Sequence, residues 1–188
     1  MNILVLDSGW GGLSVVEHIH SLLPGLNIHY IADNKHLPYG DKSDAFVTQR
    51  VLELALYANS QFTPDALVLA CNTASTVALP TLRSHLAIPV VGVVPAIKPA
   101  ALTSKSKTIG LLATPGTVER DYTHQLAEEF AEGCDIVRVG SSEMVHLAEA
   151  WLAGNRVGTR ILKEILAPFE QSKPDVIVLA CTHFPHIQ

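Results

Sequence analysis

Two cysteines of this sequence stand in nearly the same surroundings. Cys71 lies in PDALVLACNTAS, residues 64–75, and Cys181 lies in PDVIVLACTHFP, residues 174–185. In both stretches Pro-Asp leads into an apolar run that ends in Ala-Cys, and polar residues follow. A thiol between a strand and a helix faces the helix N-terminus, which favours the thiolate. Two such thiols predict acid–base chemistry in which one removes a proton from a carbon and the other returns one, so that a stereocentre is inverted.

A simpler explanation exists for any single cysteine, because a free thiol packs well as a small buried residue at the end of a strand. The matched contexts of the two residues favour the chemical interpretation. Cys134, in Glu-Gly-Cys-Asp, precedes a predicted strand and lacks the polar tail, so we expect it to be structural. The α-proton of an amino acid is a far weaker acid than a thiol. The site must therefore stabilise a developing carbanion and exclude water.

Alternating strands and helices must position these residues. Continuous apolar runs such as ILVL, ALVLA and VIVLA are typical of parallel strands buried on both faces. The predicted strands are 2–6, 27–32, 65–70, 89–93, 108–112, 135–139 and 175–180. The predicted helices are 13–23, 43–61, 75–85, 117–131, 142–153 and 157–171. This alternation predicts an α/β fold with parallel sheets.

The repeat extends beyond the cysteines. ILVLDSG at residues 3–9 resembles IGLLATPG at residues 109–116, and the two landmarks have nearly the same spacing as the cysteines. We therefore predict two similar parallel-sheet α/β domains related by internal duplication, residues 1–97 and 98–188, with the active site in the cleft between them. The break should lie near residues 95–107, where Pro, Ser and Lys accumulate.

Ligands of parallel α/β sheets bind beyond the carboxyl ends of the strands. Nine polar or thiol-bearing residues follow predicted strands directly, and they are the candidate site: Asp7, Ser8, Cys71, Asn72, Thr73, Thr114, Cys181, Thr182 and His183.

Composition narrows the function classes. A chain with 48% hydrophobic and 16% charged residues can build a core, and its net charge of −5 with scattered basic residues argues against nucleic-acid binding. The first residues do not form a secretion signal, and the longest apolar stretch, 87–97, contains Pro89, Gly92 and Pro95 and is too short to cross a bilayer. We expect a cytoplasmic protein without membrane association, whose three cysteines are thiols.

Five blocks of the sequence, taken together, resemble one family. They are Asp7 to Val15 (DSGWGGLSV), Pro38-Tyr39-Gly40, Ala70 to Ala74 (ACNTA), Thr114 to Val118 (TPGTV) and Ala180 to Pro185 (ACTHFP). In type and order these blocks resemble the cofactor-independent glutamate racemases of the aspartate/glutamate racemase superfamily. The blocks span nearly the whole chain.

The resemblance implies roles for individual residues. Cys71 and Cys181 would be the two acid/base thiols, with Cys71 deprotonating D-glutamate and Cys181 deprotonating L-glutamate. Asp7 and His183 would assist the neighbouring thiols, and Glu149 lies near the place where the family carries an acid that supports the histidine. Residues that match substrate-binding positions are Asp7, Ser8, Pro38, Tyr39, Gly40, Asn72, Thr73, Thr114, Thr117, Thr182 and His183.

The resemblance also implies partners and a product. It implies no pyridoxal phosphate and no metal, a small-molecule substrate (glutamate), D-glutamate as a product for peptidoglycan synthesis, and a possible homodimer.

Several of these residues have structural alternatives. Asp7 and Ser8, or Asn72 and Thr73, could cap the helices that follow them. Tyr39-Gly40 could be an ordinary turn after proline, and Glu149 could be a solvated helix residue. His183 beside Cys181 could bind a metal, although no Cys-x-x-Cys or His-x-x-x-His spacing supports this.

The sequence also departs from the family pattern. Trp10 stands where the family has a smaller aliphatic residue, and it could narrow access to the site. The chain stops at Gln188 whereas family members continue, so we expect the C-terminal completion of the second domain to be missing. An impaired relative that binds an acidic ligand without turnover, and a racemase for aspartate, therefore stay open.

A dinucleotide-binding protein is a further alternative. Gly9-x-Gly11 and Asp33 fit part of that fingerprint, but Ser14 occupies the position of its third glycine.

Overall fold

The carboxyl ends of the central strands of two parallel sheets face the same part of the molecule in the computed structural model, which describes residues 1–187. The strands are β1 (Asn2–Asp7), β2 (Asn27–Ala32), β3 (Ala66–Leu69), β4 (Val90–Gly92), β5 (Thr108–Ala113), β6 (Asp135–Gly140) and β7 (Val176–Ala180). The helices are α1 (Leu13–Leu22), α2 (Asp44–Phe62), α3 (Asn72–His85), α4 (Ile97–Thr103), α5 (Pro115–Glu119), α6 (Asp121–Phe130), α7 (Glu143–Leu152) and α8 (Thr159–Ser172). Short 3₁₀ turns occupy Asn34–His36, Tyr39–Asp41 and Phe184–Ile187.

The two sheets repeat one topology. The first has the strand order β2-β1-β3-β4 and the second has β6-β5-β7, and every neighbouring pair is parallel. The predicted α/β fold with two similar parallel sheets is confirmed, and all seven strands lie within one residue of their predicted bounds. The division at residues 97 and 98 stays a prediction.

The Pro-Asp pair that opens each cysteine motif anchors the neighbouring central strand. The carboxylate of Asp65 accepts a hydrogen bond from the backbone N–H of Asn2, 2.7 Å away, where β1 begins. The carboxylate of Asp175 accepts backbone N–H groups of Lys105 and Ser106, at 2.7 and 2.9 Å, just before β5. The repeated Pro-Asp therefore fixes the strand ends opposite the thiols.

The central strands β1 and β3 are buried on both faces, as their unbroken apolar runs predicted. The same expectation for the run VIVLA is wrong, because Ile177 of β7 is 44% exposed. Leu4 and Leu6 of β1 lie in one core cluster with residues of α2 and α3. Ile3 and Val5 point to the other face, where α1 covers them with Val15 and neighbouring residues. No helix of residues 1–187 is both long and apolar enough to serve as a membrane span.

Two predicted segments differ from the structure. The helix predicted over 117–131 is two helices, α5 and α6, because Arg120 between them has extended backbone (φ −71°, ψ 141°). The predicted linker at 95–107 contains α4, which packs against α6 and β7. Ile97, Ala100 and Ala101 form its buried stripe at helical spacing, and the surrounding Pro, Ser and Lys residues concealed that pattern.

Candidate active site

The first thiol, Cys71, occupies the N-cap position of α3. It is 5% exposed, and its Sγ lies 3.8 Å from the hydroxyl of Ser8, which follows β1. Burial raises the pKa of Cys71 to about 12, and the negative charge of Asp7 adds to this shift. Hydrogen bonds from the backbone of Ala74 and from Ser8 act in the opposite direction but are outweighed. The start of α3 acts in the expected direction, through the backbone of Ala74, but desolvation is the larger effect and raises the pKa of the thiol.

The second thiol, Cys181, follows β7 directly and is 7% exposed. A 3₁₀ turn rather than an α-helix comes after it. Burial raises its pKa well above the usual range, and negative charge on Cys71 raises it further. Each thiol therefore lies within electrostatic range of the other, although they belong to different sheets. In the free protein burial therefore favours the protonated form of both thiols.

A histidine and a glutamate stand behind the second thiol. Nδ1 of His183 lies 3.7 Å from Sγ of Cys181, and its Nε2 lies 2.6 Å from Oε1 of Glu149. Burial would raise the pKa of Glu149, but hydrogen bonds from His183 and from the backbone N–H of Trp10 lower it below its usual value. When Nε2 donates to the ionised Glu149, Nδ1 is left as the ring nitrogen that can accept a proton from the sulfur. Glu149 is thus not a solvated helix residue.

Asp7 links the two halves of the site. It is fully buried, and its carboxylate accepts hydrogen bonds from the Thr182 hydroxyl and the Gly9 backbone N–H, both at 3.1 Å. Burial raises the pKa of Asp7, and the charge of His183 only partly offsets this. The alternative that Asp7 and Ser8, or Asn72 and Thr73, cap the helices that follow them is not supported. The N-cap residues of α1 and α3 are Gly12 and Cys71, and neither helix has a side-chain cap hydrogen bond.

The glycines between β1 and α1 allow this close approach. A Cβ added to Gly11 would lie 2.5 Å from Nδ1 of His183, and one added to Gly12 would lie 2.7 Å from Cβ of Asp7. Any side chain at either position would displace a site residue. The sequence block DSGWGGLSV thus brings the first half against His183.

Three threonine hydroxyls form a closed ring across the halves. Thr73 at the start of α3 meets Thr114 and Thr117 of the second half, and all three Oγ1–Oγ1 distances are 3.0 Å. All three residues are buried. Three protons serve three hydrogen bonds in this ring, so each oxygen keeps a lone pair for another donor. An ammonium group is a donor that suits this arrangement.

The remaining predicted substrate-binding residues lie nearby. Pro38, Tyr39 and Gly40 form a segment that reaches Thr114: a Cβ added to Gly40 would collide with the Thr114 side chain. Asn72, in the first turn of α3, lines an open cavity of about 270 Å³ together with Cys181 and Thr182. The described lining of that cavity does not include Cys71.

Sequence reasoning considered Asp33 only for the dinucleotide alternative and missed its contact with Tyr39. The hydroxyl of Tyr39 donates to Asp33, 2.8 Å away, and Arg50 donates to both oxygens of the same carboxylate. Asp33 is therefore occupied by protein donors, which leaves no acceptor for the ribose that the dinucleotide alternative required. Residues 1–187 contain no group of three or more His, Cys, Asp or Glu side chains arranged to hold a metal.

Comparison with known proteins places the chain among racemases. The family model described as Asp/Glu/Hydantoin racemase matches residues 3–188. The glutamate racemase of Shewanella denitrificans is 56% identical over 186 residues, which are 99% of this chain and 67% of that protein. The chain spans about two thirds of the length of the curated relatives that it matches.

Solved structures agree with this relationship. The crystal structure of Escherichia coli glutamate racemase, in complex with L-glutamate and the activator UDP-MurNAc-Ala, matches with a TM-score of 0.96 at 52% identity, over 100% of this chain and 71% of that one. That of Francisella tularensis glutamate racemase, in complex with D-glutamate, matches with a TM-score of 0.82 at 28% identity, over 99% and 70%. The resemblance inferred from the five sequence blocks is confirmed, and this chain belongs to the Asp/Glu/hydantoin racemase family.

Proposed function

We propose that this protein interconverts L-glutamate and D-glutamate without a cofactor, by a two-thiol acid–base mechanism. The observation that carries the proposal is the pairing of Cys71 and Cys181: two buried thiols from different sheets, each beside its own polar partner and each within range of the other's charge. Glutamate is favoured as the substrate because the relatives above 50% identity are glutamate racemases.

The proton transfers follow from the partners of each thiol. With L-glutamate bound, Cys181 gives its proton to Nδ1 of His183, and the ionised Glu149 stabilises the resulting imidazolium. The Cys181 thiolate then takes the α-proton, and Cys71 donates its own proton to the opposite face of the carbanion. The product is D-glutamate, with Cys181 protonated, Cys71 left as the thiolate and the extra proton still on His183. After product release that proton passes through solvent to Cys71, which restores the starting state. The reverse reaction uses Cys71 as the base.

Binding of the substrate must lower the pKa of the thiols so that a thiolate can form. In the free protein burial and the charge of Asp7 keep the pKa of Cys71 at about 12. The substrate brings an ammonium group into the same enclosed region, and a positive charge near a thiol lowers its pKa. The lone pairs of the ring formed by Thr73, Thr114 and Thr117 supply acceptors for that ammonium group. Ionisation is thus coupled to substrate binding.

The remaining predicted contacts hold the carboxylates of the substrate. Backbone and side-chain donors around Ser8, Asn72 and Thr182 lie beside the thiols, and the segment 38–40 closes the region against Thr114. As part of the same proposal, the protein works in the cytoplasm, as a possible homodimer, and its D-glutamate is used for peptidoglycan.

Exchange of the α-hydrogen tests the proposal. Purified protein in deuterated water, with no added cofactor, should replace the α-proton of L-glutamate by deuterium and form D-glutamate, as followed by NMR and chiral chromatography. Cys71→Ala and Cys181→Ala should each abolish racemisation while glutamate still binds, and Cys134→Ala serves as the matched control with normal turnover. Binding of glutamate by the wild type without exchange would contradict turnover and support a non-catalytic relative.

A further inference from the structure

The segment 37–41 is inserted from the first half of the molecule into the second. Leu37 packs against an apolar cluster that includes Leu112 and Cys181. Gly40 lies directly against Thr114, and the hydroxyl of Ser142 donates to the carboxylate of Asp41. This segment therefore forms one wall of the region that contains the second thiol and the threonine ring.

A single buried carboxylate, that of Asp33, anchors the segment 37–41 through Tyr39. Asp33 Oδ2 accepts from the Tyr39 hydroxyl at 2.8 Å, and the Asp33 carboxylate accepts Nε and a terminal nitrogen of Arg50, both at 2.8 Å. Nδ1 of His36 lies 3.0 Å from the same group. Tyr39 is almost completely buried, so its hydroxyl is committed to Asp33.

The same carboxylate is tied to the candidate catalytic centre through the backbone. The N–H of Asp33 donates to the carbonyl oxygen of Asp7, 3.0 Å away, where β1 ends. Arg50 comes from α2, whose other face packs into the core through Val47 and Val51. Asp33 thus connects α2 and the end of β1 to the segment 37–41, and an Arg fork on a carboxylate fixes both partners in orientation.

We propose that Asp33 and Arg50 are positioning residues of this site: they hold the Tyr39 hydroxyl and thereby keep the segment 37–41 against Thr114. The inference rests on the proposed function, because it assigns the segment a part in shaping the glutamate pocket. It also means that Tyr39 contributes to the pocket through its backbone and its neighbours rather than through its hydroxyl. Neither Asp33 nor Arg50 contacts the thiols.

This arrangement predicts an effect on substrate binding rather than on proton transfer. Asp33→Asn removes the charged acceptor, and Tyr39→Phe removes only the donor. Each variant should raise KM for L-glutamate about tenfold while kcat changes less than about threefold, because misplacing a binding wall leaves the thiols unchanged. The double variant should be no worse than Asp33→Asn alone, since the Tyr39 hydroxyl acts on the segment through Asp33.

Two surface variants provide matched controls. Tyr57→Phe removes an exposed hydroxyl from α2, the helix that carries Arg50, and Glu164→Gln neutralises an exposed acid on α8. Both controls should keep KM and kcat at the wild-type values. Normal KM in Asp33→Asn and Tyr39→Phe, even with a lower melting temperature, would overturn the inference, because the pair would then serve stability alone.

A measurement without substrate separates this inference from the proposed function. Amide hydrogen exchange of peptides that cover residues 37–42 should be at least about tenfold faster in Asp33→Asn than in the wild type, and unchanged in Glu164→Gln. If the wild type does not racemise glutamate, the proposed function fails, and the exchange result still decides whether Asp33 holds the segment. Unchanged exchange in Asp33→Asn would overturn the inference whatever the activity.

Discussion

Oε1 of Glu149 lies 2.6 Å from Nε2 of His183, although 34 residues separate them in the chain. The other ring nitrogen, Nδ1, faces the sulfur of Cys181 at 3.7 Å. The backbone N–H of Trp10 donates to the same glutamate oxygen at 2.8 Å, so the loop after β1 helps to fix the acid. Glu149, His183 and Cys181 therefore form one line of contacts that serves the second thiol and leaves the first untouched.

Glu149→Gln should impair turnover. The amide keeps the size of the side chain but cannot stabilise an imidazolium on His183, so we expect kcat/KM to fall about 10- to 100-fold. Because the equilibrium constant of a racemisation is one, kcat/KM must fall by the same factor for L- and D-glutamate. Initial rates in both directions measure this. Glu164→Gln is the control, and a Glu149→Gln variant with wild-type rates would show that His183 acts alone.

Gly11→Ala should disrupt the site from the opposite side. The added methyl group would lie 2.5 Å from Nδ1 of His183 and 2.7 Å from its backbone nitrogen, so the histidine has to move. We expect a loss of stability of about 1–3 kcal/mol and a loss of racemisation of about 100-fold. Urea unfolding and activity assays measure the two effects. Gly25→Ala, where no atom lies within 4 Å, should change neither, and normal activity of Gly11→Ala would refute the close contact.

The thiols should resist alkylation in the free protein. Burial and the charge of Asp7 raise the pKa of Cys71 to about 12, so its thiolate fraction rises about tenfold per pH unit across the range from pH 7 to 10. Peptide mapping after iodoacetamide should find Cys134, which is partly exposed, labelled well before Cys71 and Cys181. Rapid labelling of Cys71 that levels off below pH 9 would show an activated thiolate instead.

The Asp33 cluster should make stability depend on pH in the acid range. Burial alone would raise the pKa of Asp33, but hydrogen bonds from Arg50, His36 and Tyr39 outweigh it and lower the pKa to about 2. A carboxylate with a lowered folded-state pKa stabilises the protein above its unfolded pKa, near 4, and that contribution is lost as the pH falls toward 2. Urea unfolding between pH 5 and pH 3 should therefore weaken more in the wild type than in Asp33→Asn. An equal loss of stability with falling pH in the wild type and in Asp33→Asn would contradict an ionised Asp33 paired with Arg50.

The parts of the structure that leave a local pattern in the sequence could be predicted from it. The apolar runs of β1 and β5 and the repeated cysteine motifs led directly to two parallel sheets with thiols at their carboxyl ends. The contact between Asp33 and Arg50 escaped prediction because it is made between a strand end and the middle of a helix and leaves no spacing signal. The raised pKa of Cys71 escaped it as well, since helix starts can be read from sequence whereas the depth of burial cannot.

The two aspartates that follow proline, Asp65 and Asp175, accept backbone N–H groups at the ends of the sheets opposite the thiols. Asp65 accepts the backbone N–H of Asn2, the first residue of β1, while Cys71 follows the far end of β3. A shift of β3 by one residue along β1 would break this hydrogen bond. It would also turn the side chains of β3 to the opposite face of the sheet. Asp175 likewise holds Lys105 and Ser106, just before β5, while Cys181 follows the far end of β7. An insertion or deletion in β3 or β7 would therefore cost the hydrogen bonds of Asp65 or Asp175, at the strand ends farthest from the thiols. Each half of the molecule therefore fixes the register of its own central strands.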